Sequence, residues 1–165
     1  MNETLNVNLN NLTEEERNTL LALAEKSVKE PKVQKPEMGD KYFYVGATGN
    51  IYCTDWRNNK SDNDVFNLNN YFRTEEEAKF TVEKLKVIAE LKRFAQEHNT
   101  KEINWNDPRQ NKYYFYYDCT DKKIDIGFVC CMKRNAIYFS SKEIAEQAIK
   151  AIGEERIKKY YLEVE

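Results

Sequence analysis

The 165 residues carry no recognisable spacing for covalent or acid–base chemistry. His98 is the only histidine, which excludes a metal centre built on several imidazoles. Its setting in "QEHN" suits a helix C-terminus, where a polar or cationic ring complements the macrodipole. The four cysteines, Cys53, Cys119, Cys130 and Cys131, follow neither C-x-x-C nor zinc-finger spacing. On a strand, adjacent Cys130 and Cys131 would point to opposite faces. Reduced thiols of a cytoplasmic protein are the expectation. No serine has a base at motif spacing, and neither a P-loop nor G-x-G-x-x-G occurs. Five glycines leave little room for a phosphate cradle. Asp62 and Asp64 in "SDND" are the nearest approach to a cation loop, but the turning Gly and the spaced Glu of an EF-hand are missing. No catalytic residue, metal or cofactor is expected.

What remains is binding chemistry. The chain holds eleven Tyr, eight Phe and two Trp. In the run Tyr113, Tyr114, Phe115, Tyr116, Tyr117, alternation sends Tyr113, Phe115 and Tyr117 to one face and Tyr114 and Tyr116 to the other. One face must be core. The other can pack under a tail, make a protein interface or stack bases as an RRM sheet does, although the RNP1 pattern is absent. Lys84, Lys86, Lys92 and Arg93, with Arg156, Lys158 and Lys159, are the candidate basic faces. A net charge of −2 speaks against non-specific nucleic-acid binding. No apolar run approaches the roughly 20 residues of a membrane span. The start "MNETLNVNLNNLTEEE" lacks the basic and apolar regions of a secretory signal.

The elements follow from capping and periodicity. Residues 1–12 read as loose. Thr13 and Glu16 form a capping box for a helix over about 14–28, and Pro31 and Pro36 bracket a linker. "KYFYVGATGNIYCT" predicts a hairpin over 41–54 with its turn at Gly46 and Gly49. Residues 55–70 read as a polar loop with a short strand near Val65 and Phe66. Thr74 and Glu77 cap a helix running to about residue 97. It carries two apolar stripes, Ala78, Val82, Leu85, Ala89 and Phe80, Val87, Leu91, Phe94, so it is expected to be covered from two sides. A second hairpin turns at 120–123, "AIYFS" is a third strand, and a helix over 142–152 ends at Gly153.

The order of elements recurs. "YFRTEEEAKFTVEKL" matches "YFSSKEIAEQAIKAI" at an offset of 67 residues, and Lys41 and Tyr42 match Lys112 and Tyr113 at an offset of 71. The first copy is the longer, with the surplus placed in 55–70. The expected fold class is α+β: two tandem β-β-β-α repeats preceded by an N-terminal helix. Its parts are an N-terminal helix and linker over 1–35, a first repeat over 36–98, and a second repeat with C-terminal tail over 99–165, all in one compact domain.

"GDKYFYVGATGNIYCTDW" and "FRTEEEAKFTVEKLKVIAELKRFAQEHN" together resemble small proteins encoded by phages and prophages of Gram-positive (Firmicutes) gut bacteria. Their pattern is G-[DE]-K-Y-[FY], a Trp-bearing polar loop, F-x-T-x-E-E-A and E-x-L-K-V-I-A-E-L-K. The resemblance covers about residues 36–98. It implies a non-enzymatic accessory protein acting in the bacterial cytoplasm. Such a protein binds and inhibits a host defence component, most concretely a CRISPR–Cas nuclease such as Cas9 or its RNA complex. On this reading loop 55–70 meets the host protein, with Trp56 and Arg57 as anchors and Asp62 and Asp64 facing its basic surface. Trp105, in "NWND" between the copies, is the further partner-binding candidate, and homodimerisation is a second mode of association. The alternative is a nucleic-acid or nucleotide-binding module using the basic helix and the Tyr-rich sheet.

Overall fold

The computed structural model describes residues 12–27 and 35–164. The loose segment expected over 1–12 lies almost wholly outside these residues, and so do the expected end of the first helix at Val28 and most of the linker. The chain divides into two units, Met1–Glu37 and Met38–Glu165. In the first, helix α1 (Glu14–Ser27) begins at the expected box. Thr13 N–H donates to the Glu16 carboxylate at 2.9 Å, and Glu16 N–H donates back to Thr13 Oγ1 at 3.4 Å. These bonds hold the Glu16 carboxyl below the usual carboxylate range.

The second unit is α+β, with two separate two-stranded antiparallel sheets. Strands β1 (Lys41–Val45) and β2 (Ile51–Asp55) pair with Phe43 opposite Cys53. Their turn needs its glycines. Gly49 has φ +83°, and a Cβ on Gly46 would fall 2.6 Å from the Tyr52 ring. Strands β3 (Lys112–Asp118) and β4 (Lys123–Val129) pair with Phe115 opposite Ile126.

Each hairpin gains one reciprocal backbone pair on its outer side. Phe43 exchanges bonds of 2.8 and 2.9 Å with Phe72, and Tyr113 exchanges bonds of 2.9 and 2.8 Å with Phe139. The expected third strand at "AIYFS" is therefore a single bridge. Phe43 holds in its hairpin the place that Tyr113 holds in the other. Tyr42 and Lys112, each one residue before its bridge, are both buried.

Residues 60–67 are helix α2 (Lys60–Asn67), where a polar loop and short strand were expected. The cause is a capping box written with different letters. Asp62 N–H donates to Asn59 Oδ1 at 2.9 Å, and Asn59 N–H donates to Asp62 Oδ2 at 3.2 Å. Helix α3 (Glu75–His98) starts at the expected Thr74–Glu77 box. It runs against both hairpin strands of the first sheet on one side, and against the C-terminal elements on the other. Leu85, placed in the first stripe, is 55% exposed.

Helix α4 (Lys142–Ile152) is capped by Ser141 and ends at Gly153, φ +98°. A single turn, α5 (Glu154–Arg156), leads into a π-helical turn at Ile157–Tyr161. The core joins Val87, Leu91 and Ala95 of α3 to Phe115, Phe139, Ile144, Ala148 and Ile157. At about 1.5–3 kcal/mol per large apolar side chain buried, this cluster dominates the unit's stability. Arg156 clamps the C-terminal turn to α3 through a bidentate pair with Glu90, at 2.8 and 3.1 Å.

Candidate binding site

Trp56 directly follows β2. Its N–H donates to Asp40 O at 2.8 Å, and its carbonyl accepts from Gly39 N–H at 2.9 Å. Helix α2 folds back over the indole. The rings of Tyr42, Phe66 and Tyr71 surround it with centroids 5.9, 6.0 and 6.0 Å away, in the edge-to-face geometry aromatic rings prefer. Trp56 is 1% exposed. It is the hub of a small aromatic core and offers nothing to a partner, contrary to the expectation for an open loop.

Asp62, expected at the same interface, is 4% exposed. Its Oδ1 accepts from the Tyr42 hydroxyl at 2.9 Å, and its Oδ2 accepts from Arg57 N–H at 2.8 Å and Asn59 N–H at 3.2 Å. Burial pushes the carboxyl up, but the bonds from Arg57, Tyr42 and Asn59 outweigh it and hold Asp62 below its usual range. Burial first, and the neighbouring Asp62 carboxylate second, raise the Tyr42 phenol. Asp62 thus ties strand, cap and helix together through three accepted bonds. Arg57 and Asp64 are exposed. Arg57 and Asp62 line a polar hollow of about 210 Å³ together with Thr54, Asp55, Asn59 and Ser61.

Trp105 stands apart, half-buried in the connection between α3 and β3. Its ring meets Tyr138 edge-on at 4.9 Å. Two ammonium groups lie over it, Lys112 Nζ at 5.3 Å and Lys133 Nζ at 5.8 Å from the ring centroid. Lys112 is fully buried and donates to the carbonyls of Asp107, Gln110 and Cys130 at 2.8, 2.9 and 2.7 Å. Such a saturated ammonium needs no carboxylate partner, because three carbonyl dipoles replace its hydration. Its buried role was not legible in the sequence, where "NKYY" looks like "DKYF" and the lysine of the latter, Lys41, is exposed.

Around Trp105 opens a cleft of about 330 Å³, lined by Lys92 and Gln96 of α3, Asn99, Ile103, Trp105 and the segment 136–138. Asn99 fixes one wall, donating to Tyr138 O at 3.2 Å and accepting from Ser140 N–H at 2.8 Å. The Tyr138 hydroxyl accepts from Arg134 N–H at 2.6 Å and donates to Arg134 O at 3.1 Å, which holds the Lys133–Arg134 loop in place. No carboxylate lines the cleft.

The tyrosine sheet divides as alternation expects. Phe115 is buried, Tyr161 meets it edge-on at 6.4 Å, and Lys158 lies over Tyr117, so the C-terminal segment covers that face. On the other face Tyr114 packs on Tyr138 with Arg134 above it, and Tyr116, 38% exposed, bonds to Asp125. His98 sits at the end of α3, stacked on Phe94 at 4.0 Å. The four cysteines are unpaired, and Cys130 Sγ donates to Asn111 Oδ1 at 3.2 Å. Among the described residues no three His, Cys, Asp or Glu converge as metal ligands, and no helix is long and apolar enough to cross a membrane. No family model matches the chain, and no curated protein or solved structure matches it.

Proposed function

We propose that this chain is a non-enzymatic binding protein that inhibits a bacterial defence component in the host cytoplasm, a CRISPR–Cas nuclease being the most concrete target. The observation that carries the binding reading is the contrast between two sets of polar groups. The buried ones, Asp62, Lys112 and the half-buried Glu90–Arg156 pair, are each saturated by structural bonds. The open ones, Lys92 and Gln96, line an aromatic-walled cleft at Trp105. Saturated buried groups hold a scaffold, whereas Trp and Tyr side chains are frequent anchors of protein interfaces. The defence target rests on the resemblance of residues 36–98 to small phage and prophage proteins. The same reading takes the two halves as tandem β-β-β-α copies, supported by the paired bridges at Phe72 and Phe139 and the paired caps at Thr74 and Ser141.

Of the anchors expected from the sequence, Trp105, Arg57 and Asp64 remain at the surface, and Trp105 is placed at the contact. The test is DNA cleavage by a panel of purified defence nucleases, RNA-guided ones included, with the protein in excess. Inhibition of at least one enzyme is expected. Inhibition of none, with tight binding to bare RNA or DNA, would overturn the proposal in favour of nucleic-acid recognition.

A further inference from the structure

We infer that the Trp105 cleft takes an apolar side chain from an acidic segment of a partner protein. This deepens the proposed binding function and rests on it. The floor is apolar, made by Ala95, Ile103, Ala136 and Ile137. About 330 Å³ is ample for one aliphatic side chain, whose removal from water drives its entry. Two cations stand at the cleft. Lys92 lines the cleft, and Lys133 reaches over the indole that forms its wall. With no carboxylate in the lining, Asp or Glu flanking the anchor would meet uncompensated charge.

A nucleic acid is the other polyanion that these lysines would attract, and the ring geometry disfavours it. Two ammonium groups already lie over the Trp105 ring and Tyr138 meets it edge-on, while sequence-tolerant recognition of single strands relies on open aromatic platforms. Asn99 and the Tyr138 hydroxyl, the polar groups best placed to read a base edge, are already paired within the protein.

The experiment uses the full chain and four fluorescein-labelled probes. One is a short peptide with a single central Leu flanked on both sides by Asp and Glu. The second has Ala for that Leu, the third has Lys and Arg for the acidic flanks, and the fourth is oligothymidine. Saturable binding of the first peptide is expected, weakened about tenfold by the Leu-to-Ala change. It should weaken further with salt and fall at least about tenfold in the double variant Lys92→Glu, Lys133→Glu. Both lysines are exposed, and an unchanged circular-dichroism melt of the variant separates lost binding from lost fold. In two-dimensional NMR the Trp105 indole N–H and the Gln96 amide should shift on titration.

Absence of saturable peptide binding, equal binding of the Leu and Ala peptides, tighter binding of oligothymidine, or shifts confined to other surfaces would each overturn the inference. Inhibition of a nuclease by the double variant at wild-type strength would also sink it, while leaving the proposed function intact. Peptide binding by a protein that inhibits no nuclease would support the cleft and remove the defence target.

Discussion

Replacing Asp62 by Ala should destabilise the second unit far more than an aspartate in a polar stretch would suggest. The carboxylate accepts three hydrogen bonds at 2.8–3.2 Å and is almost wholly buried. Bonds to a charged group contribute about 1.5–3 kcal/mol, and a buried donor left without a partner costs about 1–3 kcal/mol. Half of the α2 capping box is lost as well, at about 0.5–2 kcal/mol. These overlap, and the expected loss is about 3–4 kcal/mol. Urea unfolding followed by tryptophan fluorescence measures it, since Trp56 packs directly on Tyr42.

Two controls isolate the cause. The double variant Tyr42→Phe, Asp62→Ala removes the orphaned hydroxyl, so it should be less destabilised than the sum of the singles by about 1–2 kcal/mol. The gap between wild type and Asp62→Asn should depend on pH. The folded carboxyl lies below its usual range, so its contribution is full above the unfolded value of about 3.9 and is lost as pH falls through the lower folded one. The two midpoints should therefore converge below about pH 4. A loss under about 1 kcal/mol for Asp62→Ala, strict additivity with Tyr42→Phe, or a gap that persists unchanged at low pH would refute the reasoning.

Lys112→Met should cost about 3 kcal/mol, because three partly buried carbonyls lose their donor, and the melting temperature should drop by roughly 10 °C; a thermal scan within 2 °C or so of wild type would contradict that role. Gly153→Ala should cost about 1 kcal/mol through backbone strain at φ +98° alone, since an added Cβ meets nothing within 4 Å. A loss above about 3 kcal/mol in urea unfolding would point to a clash that the geometry lacks.

The sequence by itself determined the elements whose signals are local. Thr13 with Glu16, Thr74 with Glu77, and Ser141 mark helix starts by the bonds a short side chain makes to the nearest free amides. The run 41–54 declares its turn through glycines that no other residue replaces cheaply. The same logic missed α2 only because Asn59 and Asp62 write the box in less familiar letters. What the sequence left open was decided by distance in space. Whether Trp56 is an anchor or a hub depends on α2 closing over it, which no spacing along the chain records. Whether a lysine beside a tyrosine faces water, as Lys41 does, or three carbonyls, as Lys112 does, depends on a one-residue register and on a loop returning from residue 107. Burial and charge pairing are properties of the assembled fold, so only the tertiary structure decides that Trp56 and Asp62 of loop 55–70 are buried while Trp105 stays half-buried.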